Sequence, residues 1–132
     1  MERRYEQIPA EVEAVARHVV DAAFAVHKNL GPGLLESVYE ICLSHELTKR
    51  GVPHQRQVAL PVVYDGVRLD AGLRLDLLAG DCLIVELKAV EKHNPLFEAQ
   101  LLTYLKLTGR RLGLLINFNV PLIREGIRRV IL

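Results

Sequence analysis

The sequence has little of what marks a secreted, zinc-binding or membrane-spanning protein. It contains two cysteines, Cys42 and Cys82, which are too few for a disulfide framework. Neither the cysteines nor the histidines have the spacing of zinc ligands, and no stretch approaches the roughly 18 apolar residues of a membrane helix. The N-terminal residues Met1 to Gln7 are charged and lack an apolar signal core. We therefore expect a reduced, cytoplasmic protein without a membrane partner.

A net charge is also nearly absent. The chain has 17 basic and 16 acidic residues among 132, so the molecule as a whole offers no general attraction to nucleic acid. Contact with nucleic acid would need a local basic patch, although each candidate cluster is equally compatible with solvated surface charge. The candidates are Lys49, Arg50 and Arg56, then Arg110 and Arg111, then Arg124, Arg128 and Arg129.

What the sequence does contain is a clear alternation of hydrophobic patterns. Apolar residues at three- and four-residue steps predict helices over 9–28, with Pro9 in the first turn, and over 34–50 and 95–108. Alternating or continuously apolar runs predict strands over 58–64, 67–78, 82–90 and 112–118, and a final strand within 123–132. The order helix, helix, three strands, helix, strand, strand in a chain of this length indicates one α/β domain with one core.

Asp65-Gly66 predicts a two-residue hairpin turn between the first two strands. If Tyr64 pairs with Val67, apolar residues face each other along the hairpin, with Leu60 opposite Ala71. The second strand alternates cleanly, so its apolar residues are predicted to share one face. They are Leu69, Ala71, Leu73, Leu75 and Leu77.

The third strand is apolar except for Glu86 and Lys88, which point to the same face because they are two residues apart. A turn that pairs Leu78 with Cys82 makes Asp76 a diagonal neighbour of Glu86, roughly 7–8 Å away at the backbone. Two carboxylates at that spacing could hold Mg²⁺ or Mn²⁺. Lys88 could then orient an attacking water or offset charge on a phosphate. The alternative interpretations are a structural ion pair of Glu86 with Lys88 and a strand that is less buried than its sequence indicates.

Two helices contribute further candidates. Glu36 shares an apolar row with Tyr39 and could be a metal ligand or a base that aligns water, or else a surface glutamate favoured by the helix dipole. Gln100 and Tyr104 lie one turn apart on the apolar stripe of the third helix. A buried glutamine there would need polar partners, whereas the alternative is a core tyrosine with a chance neighbour.

The order of these motifs resembles the PD-(D/E)XK nuclease superfamily. Asp76, followed by nine residues and then Glu86-Leu87-Lys88, resembles the D-x(n)-E-x-K core. The segment 33–39 resembles the GxxExxY motif that names one small bacterial family within the superfamily, and the segment 100–104 matches the QxxxY helix motif of exonuclease-like branches. The resemblance extends from about residue 14 to residue 131.

The resemblance implies a central mixed β-sheet flanked by helices, with a restriction-endonuclease-like αβββαβ core and a single domain over residues 1–132. It implies Mg²⁺ or Mn²⁺ as the cofactor and phosphodiester hydrolysis of nucleic acid, with DNA favoured, in repair or defence. The implied metal ligands are Asp76, Glu86 and the Leu87 carbonyl; the implied catalytic residues are Lys88, Glu36, Gln100 and Tyr104.

Two other functions stay open at this point. One is a catalytically silent nucleic-acid-binding or assembly subunit that retains the fold, and the other is a metal-dependent phosphohydrolase of small nucleotides. A chain of 132 residues has little room for a domain that clamps nucleic acid, so a partner or a second copy would complete the substrate groove.

Overall fold

A computed structural model describes residues 7–132 of the chain. The N-terminal segment from which we predicted the lack of a signal core therefore lies outside the described residues, except for Gln7. Within residues 7–132, the longest helices are too short or too polar to cross a membrane.

The predicted order of elements is confirmed. The helices are α1 (Ala10–Leu30), α2 (Glu36–Lys49) and α3 (Pro95–Thr108); the strands are β1 (His54–Tyr64), β2 (Val67–Ala79), β3 (Leu83–Lys88), β4 (Leu112–Asn117) and β5 (Ile127–Ile131). The final strand is shorter than predicted, because Ile123–Gly126 forms a 3₁₀ turn before it.

The five strands form one mixed sheet in the order β1-β2-β3-β4-β5. β3 and β4 are parallel and connected through α3, whereas the other neighbouring strands are antiparallel. Because parallel strands end at the same edge of a sheet, Lys88 and Asn117 lie side by side there. The architecture is the α/β, restriction-endonuclease-like fold that the resemblance implied.

The sheet separates two apolar clusters. The larger cluster joins α1 and α2 to one face, and within it the rings of Tyr39 and Phe118 stack with centroids 4.6 Å apart. The smaller cluster joins α3 to the other face and includes Leu101 and Ile84. The molecule therefore has three layers, and any residue of the central strand is aimed at one helix layer or the other.

The hairpin register is confirmed only near the turn. Tyr64 pairs with Val67 as predicted, but Leu60 pairs with Leu73 instead of Ala71. The shift occurs between residues 60 and 62, where β2 contains two more residues than β1. Pairing of apolar with apolar residues is preserved on both sides of this shift, which is why the sequence pattern did not reveal it.

A bulge in β2 accounts for the shift. Gly72 has a φ of 74°, and its N–H donates a hydrogen bond to Asp70 Oδ1 at 3.1 Å. The prediction that the apolar residues of β2 share one face was wrong at Leu77: Leu75 packs in the cluster on the α3 side, but Leu77 packs on the side of α1 and α2. The alternation of side chains thus changes phase at Asp76.

Candidate active site

The backbone pairing of β2 with β3 stops just before the acidic residues of the two strands. Leu78 pairs with Ile84, so the predicted pairing of Leu78 with Cys82 was wrong by two residues. In the observed register Asp76 comes directly opposite Glu86, closer than the diagonal arrangement that we predicted. The backbone ladder ends one pair earlier, at residues 77 and 85.

Beyond the end of the ladder, side-chain carboxylates accept the hydrogen bonds of the backbone N–H groups. The Asp76 N–H donates to Glu86 Oε1 at 3.2 Å, and the Leu87 N–H donates to Asp76 Oδ2 at 2.8 Å. The charge of Asp76 also acts directly on the Glu86 carboxyl group. Glu86 is buried, with 5% of its surface exposed, and Asp76 is half-buried. The two acids therefore lie next to each other, one on each strand.

Electrostatics at this pair are unbalanced. Burial, followed by the charge of Asp76 and the hydrogen bond to it, raises the pKa of Glu86 to about 9. Lys88 counteracts this only weakly: its Nζ lies 4.5 Å from the centre of the Phe97 ring, and it forms no ion pair with any described residue. The negative charge of the pair is therefore not fully compensated, and a proton or a cation would compensate it.

Glu36 begins α2 near this pair. Partial desolvation, followed by the charge of Asp76, raises the pKa of Glu36, and Lys88 opposes the shift. The side chain is otherwise exposed. The structure thus places the glutamate of the second helix within electrostatic range of both Asp76 and Lys88, which the sequence alone could only suggest.

The remaining residues of segment 33–39 have structural roles. Gly33 has a φ of 100°, a conformation that favours glycine. The hydroxyl of Tyr39 donates to the Gly31 carbonyl at 2.7 Å and accepts from the Leu34 N–H at 3.1 Å. These bonds fix the connection between α1 and α2, and hence the position of Glu36. The sequence pattern predicts Tyr39 on the apolar row but gives no sign of this function of its hydroxyl group.

The two α3 candidates are not equivalent. Tyr104 is buried, and its pKa is raised by desolvation and then by the charges of Glu86 and Asp76, so it lies close to the pair. Gln100 is exposed and forms no hydrogen bond to any described residue. Gln100 was predicted on the apolar stripe of α3, but it lies at the margin of the buried stripe and makes no hydrogen bond to Lys88.

Asn117, at the end of β4, was missed by the sequence analysis. Its Oδ1 accepts from the Val90 N–H at 3.1 Å, and its Nδ2 donates to the Val90 carbonyl at 2.9 Å. The Phe118 N–H donates to the Lys88 carbonyl at 2.9 Å. These bonds fix the backbone at Lys88 and at Val90, where β3 ends. An asparagine after an apolar strand was the only hint of this role in the sequence.

The donor set fits a divalent cation bound through oxygen. No group of three or more His, Cys, Asp or Glu side chains suited to a metal occurs within residues 7–132, so a cation here would rely on two carboxylates and a backbone oxygen. The Leu87 N–H points towards Asp76, and a strand residue directs its N–H and C=O to the same neighbour. The Leu87 carbonyl therefore faces the pair, as Mg²⁺ or Mn²⁺ would require.

Comparison with known families gives one match. A sequence model of the PD-(D/E)XK nuclease superfamily matches residues 13–130, a range that contains every site residue described above. Neither the curated proteins nor the solved structures contain a match to this chain.

Proposed function

Because this chain belongs to the PD-(D/E)XK nuclease superfamily, we propose that it hydrolyses phosphodiester bonds of nucleic acid, DNA in particular, with a divalent metal ion. The observation that carries this proposal is the adjacent pair of Asp76 and Glu86, in which the buried Glu86 carboxyl group accepts from the Asp76 N–H and has its pKa raised by the neighbouring acid. A fold tolerates such a pair at a functional site, where binding a cation relieves the repulsion.

Within this proposal, Asp76, Glu86 and the Leu87 carbonyl hold the metal, which supplies Lewis-acid stabilisation of the phosphate when bound. Lys88 offsets negative charge that develops on the phosphate, and it can do so because no described carboxylate holds its Nζ in an ion pair. Glu36 accepts a proton from the attacking water. Its raised pKa makes Glu36 a stronger base than an ordinary exposed glutamate.

The two α3 residues receive different roles. Tyr104 closes the buried side of the pair and excludes water from Glu86. Gln100 contacts the phosphate backbone of the substrate, since its exposed side chain has no partner in the described part of the chain. Both residues thus belong to the proposed site, Tyr104 as a buried residue that excludes water and Gln100 as a contact to the substrate.

We further propose that the protein is a member of the GxxExxY family and that residues 1–132 act as a single domain. The distinct roles of Gly33, Glu36 and Tyr39 support the family assignment, and the single sheet supports the domain. A second copy or another partner completes the substrate groove, and the biological setting is DNA repair or defence. Neither Mg²⁺ nor Mn²⁺ is favoured by the donors alone.

The test is incubation of the full chain with single- and double-stranded DNA and RNA in the presence of Mg²⁺, Mn²⁺ or EDTA. We expect hydrolysis that EDTA abolishes and that Lys88→Ala lowers by about 100-fold or more, since loss of one charge-stabilising group costs on the order of 10²–10³ in rate. Lys106→Ala is the matched control, because Lys106 is an exposed lysine of α3.

Two results would contradict the proposal. Binding of nucleic acid without hydrolysis under every metal condition would identify a catalytically silent subunit. Hydrolysis that Lys88→Ala and Lys106→Ala leave equally intact would place the activity outside this site.

A further inference from the structure

Gln57 has a left-handed backbone inside a strand. Its φ is 52°, and the other non-glycine residues with positive φ among residues 7–132 are Asp65 and Asp81. Asp65 occupies the hairpin turn and Asp81 the turn before β3, where this conformation is ordinary. Within β1 it is unfavourable for a residue with a side chain, so something must hold Gln57 in place.

The irregularity coincides with the candidate metal ligand on the neighbouring strand. Arg56 and Val58 both pair with β2, and their register places Gln57 opposite Asp76. The β1–β2 ladder omits this pair. The pair is also the point at which the side chains of β2 change phase. Local breaks of this kind re-aim a strand side chain.

A buried carboxylate holds the irregular residue. Gln57 Nε2 donates to Glu40 Oε1 at 2.6 Å, while Arg56 donates to Glu40 Oε2 from Nε at 3.1 Å and from Nη2 at 2.9 Å. Glu40 is 7% exposed, and both of its oxygens are satisfied. Charge-assisted bonds of this length are strong enough to offset the unfavourable backbone.

The same carboxylate belongs to the helix that carries Glu36. Glu40 follows Glu36 by four residues in α2, so the two lie on the same side of the helix, one turn apart. The hydrogen bonds of Glu40 to β1 therefore also fix the position of Glu36 relative to Asp76. Glu36 and Asp76 interact electrostatically. One cluster thus connects the helix carboxylate to the strand carboxylate.

We propose that Glu40, Arg56 and Gln57 form a positioning cluster for Asp76. The cluster holds Gln57 in its left-handed conformation, which interrupts the β1–β2 ladder and directs the Asp76 carboxyl group towards Glu86 and the Leu87 N–H. This inference rests on the proposed function, because the aim of Asp76 matters only if the acidic pair binds a metal ion.

The test is calorimetric titration of the full chain with Mn²⁺ alone, together with the melting temperature of the same samples. Valine disfavours a left-handed backbone, so Gln57→Val should weaken Mn²⁺ binding by about tenfold or more, the range typical of residues that orient metal ligands. Gln57→Gly should bind within about threefold of wild type, because glycine retains the conformation without the anchor. Asp65→Val is the matched control: valine enters a left-handed turn far from the site, which should lower the melting temperature but leave Mn²⁺ affinity unchanged.

Each outcome decides the inference. Wild-type binding that Gln57→Val leaves intact would overturn the positioning role alone, as would a Gln57→Gly variant as weak as Gln57→Val. Equal losses in Gln57→Val and Asp65→Val would show that stability, and not the aim of Asp76, controls affinity. If Gln57→Val does not fold, Gln57→Ala replaces it with the same expectation. A wild-type protein that binds no Mn²⁺ would overturn the proposed metal chemistry and this inference together.

Discussion

Glu40 and Glu86 are the two buried glutamates among the described residues, and their surroundings are opposite. Glu40, 7% exposed, accepts hydrogen bonds from Arg56 and Gln57, so its charge is compensated by the protein itself. Glu86, 5% exposed, has Asp76 as its side-chain partner and only a weak contribution from Lys88. The two residues are buried to a similar extent, but only the charge of Glu40 is compensated by protein partners.

The difference separates a structural carboxylate from one available for chemistry. A buried charge with complete partners stabilises one arrangement of the chain and has nothing left to offer a ligand. A buried acid beside a second acid lowers the stability of the fold unless a proton or a cation compensates the charge. Such uncompensated negative charge is what allows a site to bind a metal ion. Neither property is visible in composition, since both residues are glutamates among apolar neighbours.

The largest expected contrast is in catalysis. Glu86→Gln should lower metal-dependent hydrolysis by about 100-fold or more, because it removes a carboxylate ligand and the charge that attracts the cation. Glu40→Gln keeps an oxygen acceptor for Gln57 and should lower the rate of the folded protein less than about tenfold. The measurement is kcat at saturating Mg²⁺ or Mn²⁺ on the same DNA substrate. Equal losses in the two variants would erase the distinction between the two glutamates.

The stability of the fold, in contrast to catalysis, should depend more on Glu40 than on Glu86. Glu40→Ala removes the acceptor of three hydrogen bonds and leaves Gln57 without an anchor, so the free energy of unfolding should fall by about 2–3 kcal/mol. Arg56 limits the loss because its side chain is 41% exposed and can return to water. Urea denaturation of the metal-free protein measures the change. Glu46→Ala is the control, since Glu46 forms only longer contacts on α2, at 3.6 Å, with Lys49 and Arg50.

The acidic pair should also give the metal-free protein a characteristic pH dependence. The pKa of Glu86 rises from 4.5 to about 9 on folding, so between these values the folded state binds more protons than the unfolded state. Its contribution to stability is complete below about pH 4.5 and is lost as pH rises towards 9. Asp76→Asn removes the neighbouring charge and should flatten this slope, leaving the protein as stable as wild type or more so at neutral pH. Denaturation curves in EDTA across that range measure the slope; an Asp76→Asn protein that unfolds would instead support a structural ion pair.

Element order and the meeting of Asp76 with Glu86 could be predicted because hydrophobic periodicity and the spacing of the acids on neighbouring strands are local properties of the chain. The registers could not. The bulge at Gly72 and the observed pairing of Leu78 both preserve apolar-on-apolar contacts, so alternative registers satisfy the same pattern.

The positioning cluster was missed for a related reason. Gln57 and Glu40 are 17 residues apart in sequence, and their hydrogen bond depends on a backbone conformation that glutamine rarely adopts. Nothing in the local pattern of β1 announces such a residue. Tertiary contacts created it, and a sequence pattern reports tertiary contacts only where they repeat with the period of a helix or strand.

The smallest expected effect is at Gln100, where the sequence pattern suggested a buried residue and the structure places an exposed one. An exposed amide without a described partner contributes little to stability, so Gln100→Ala should change the free energy of unfolding by less than about 0.5 kcal/mol. Mn²⁺ affinity should be unchanged, since the side chain does not hydrogen-bond to Lys88. If Gln100 contacts a substrate phosphate, loss of one hydrogen bond should raise KM about three- to tenfold with kcat nearly constant. Gln55→Ala is the matched control, because Gln55 is also an exposed glutamine and has no role in the proposed site. A change in kcat or in metal affinity would mean that Gln100 turns inward when substrate binds, and a KM equal to that of Gln55→Ala would remove it from the site.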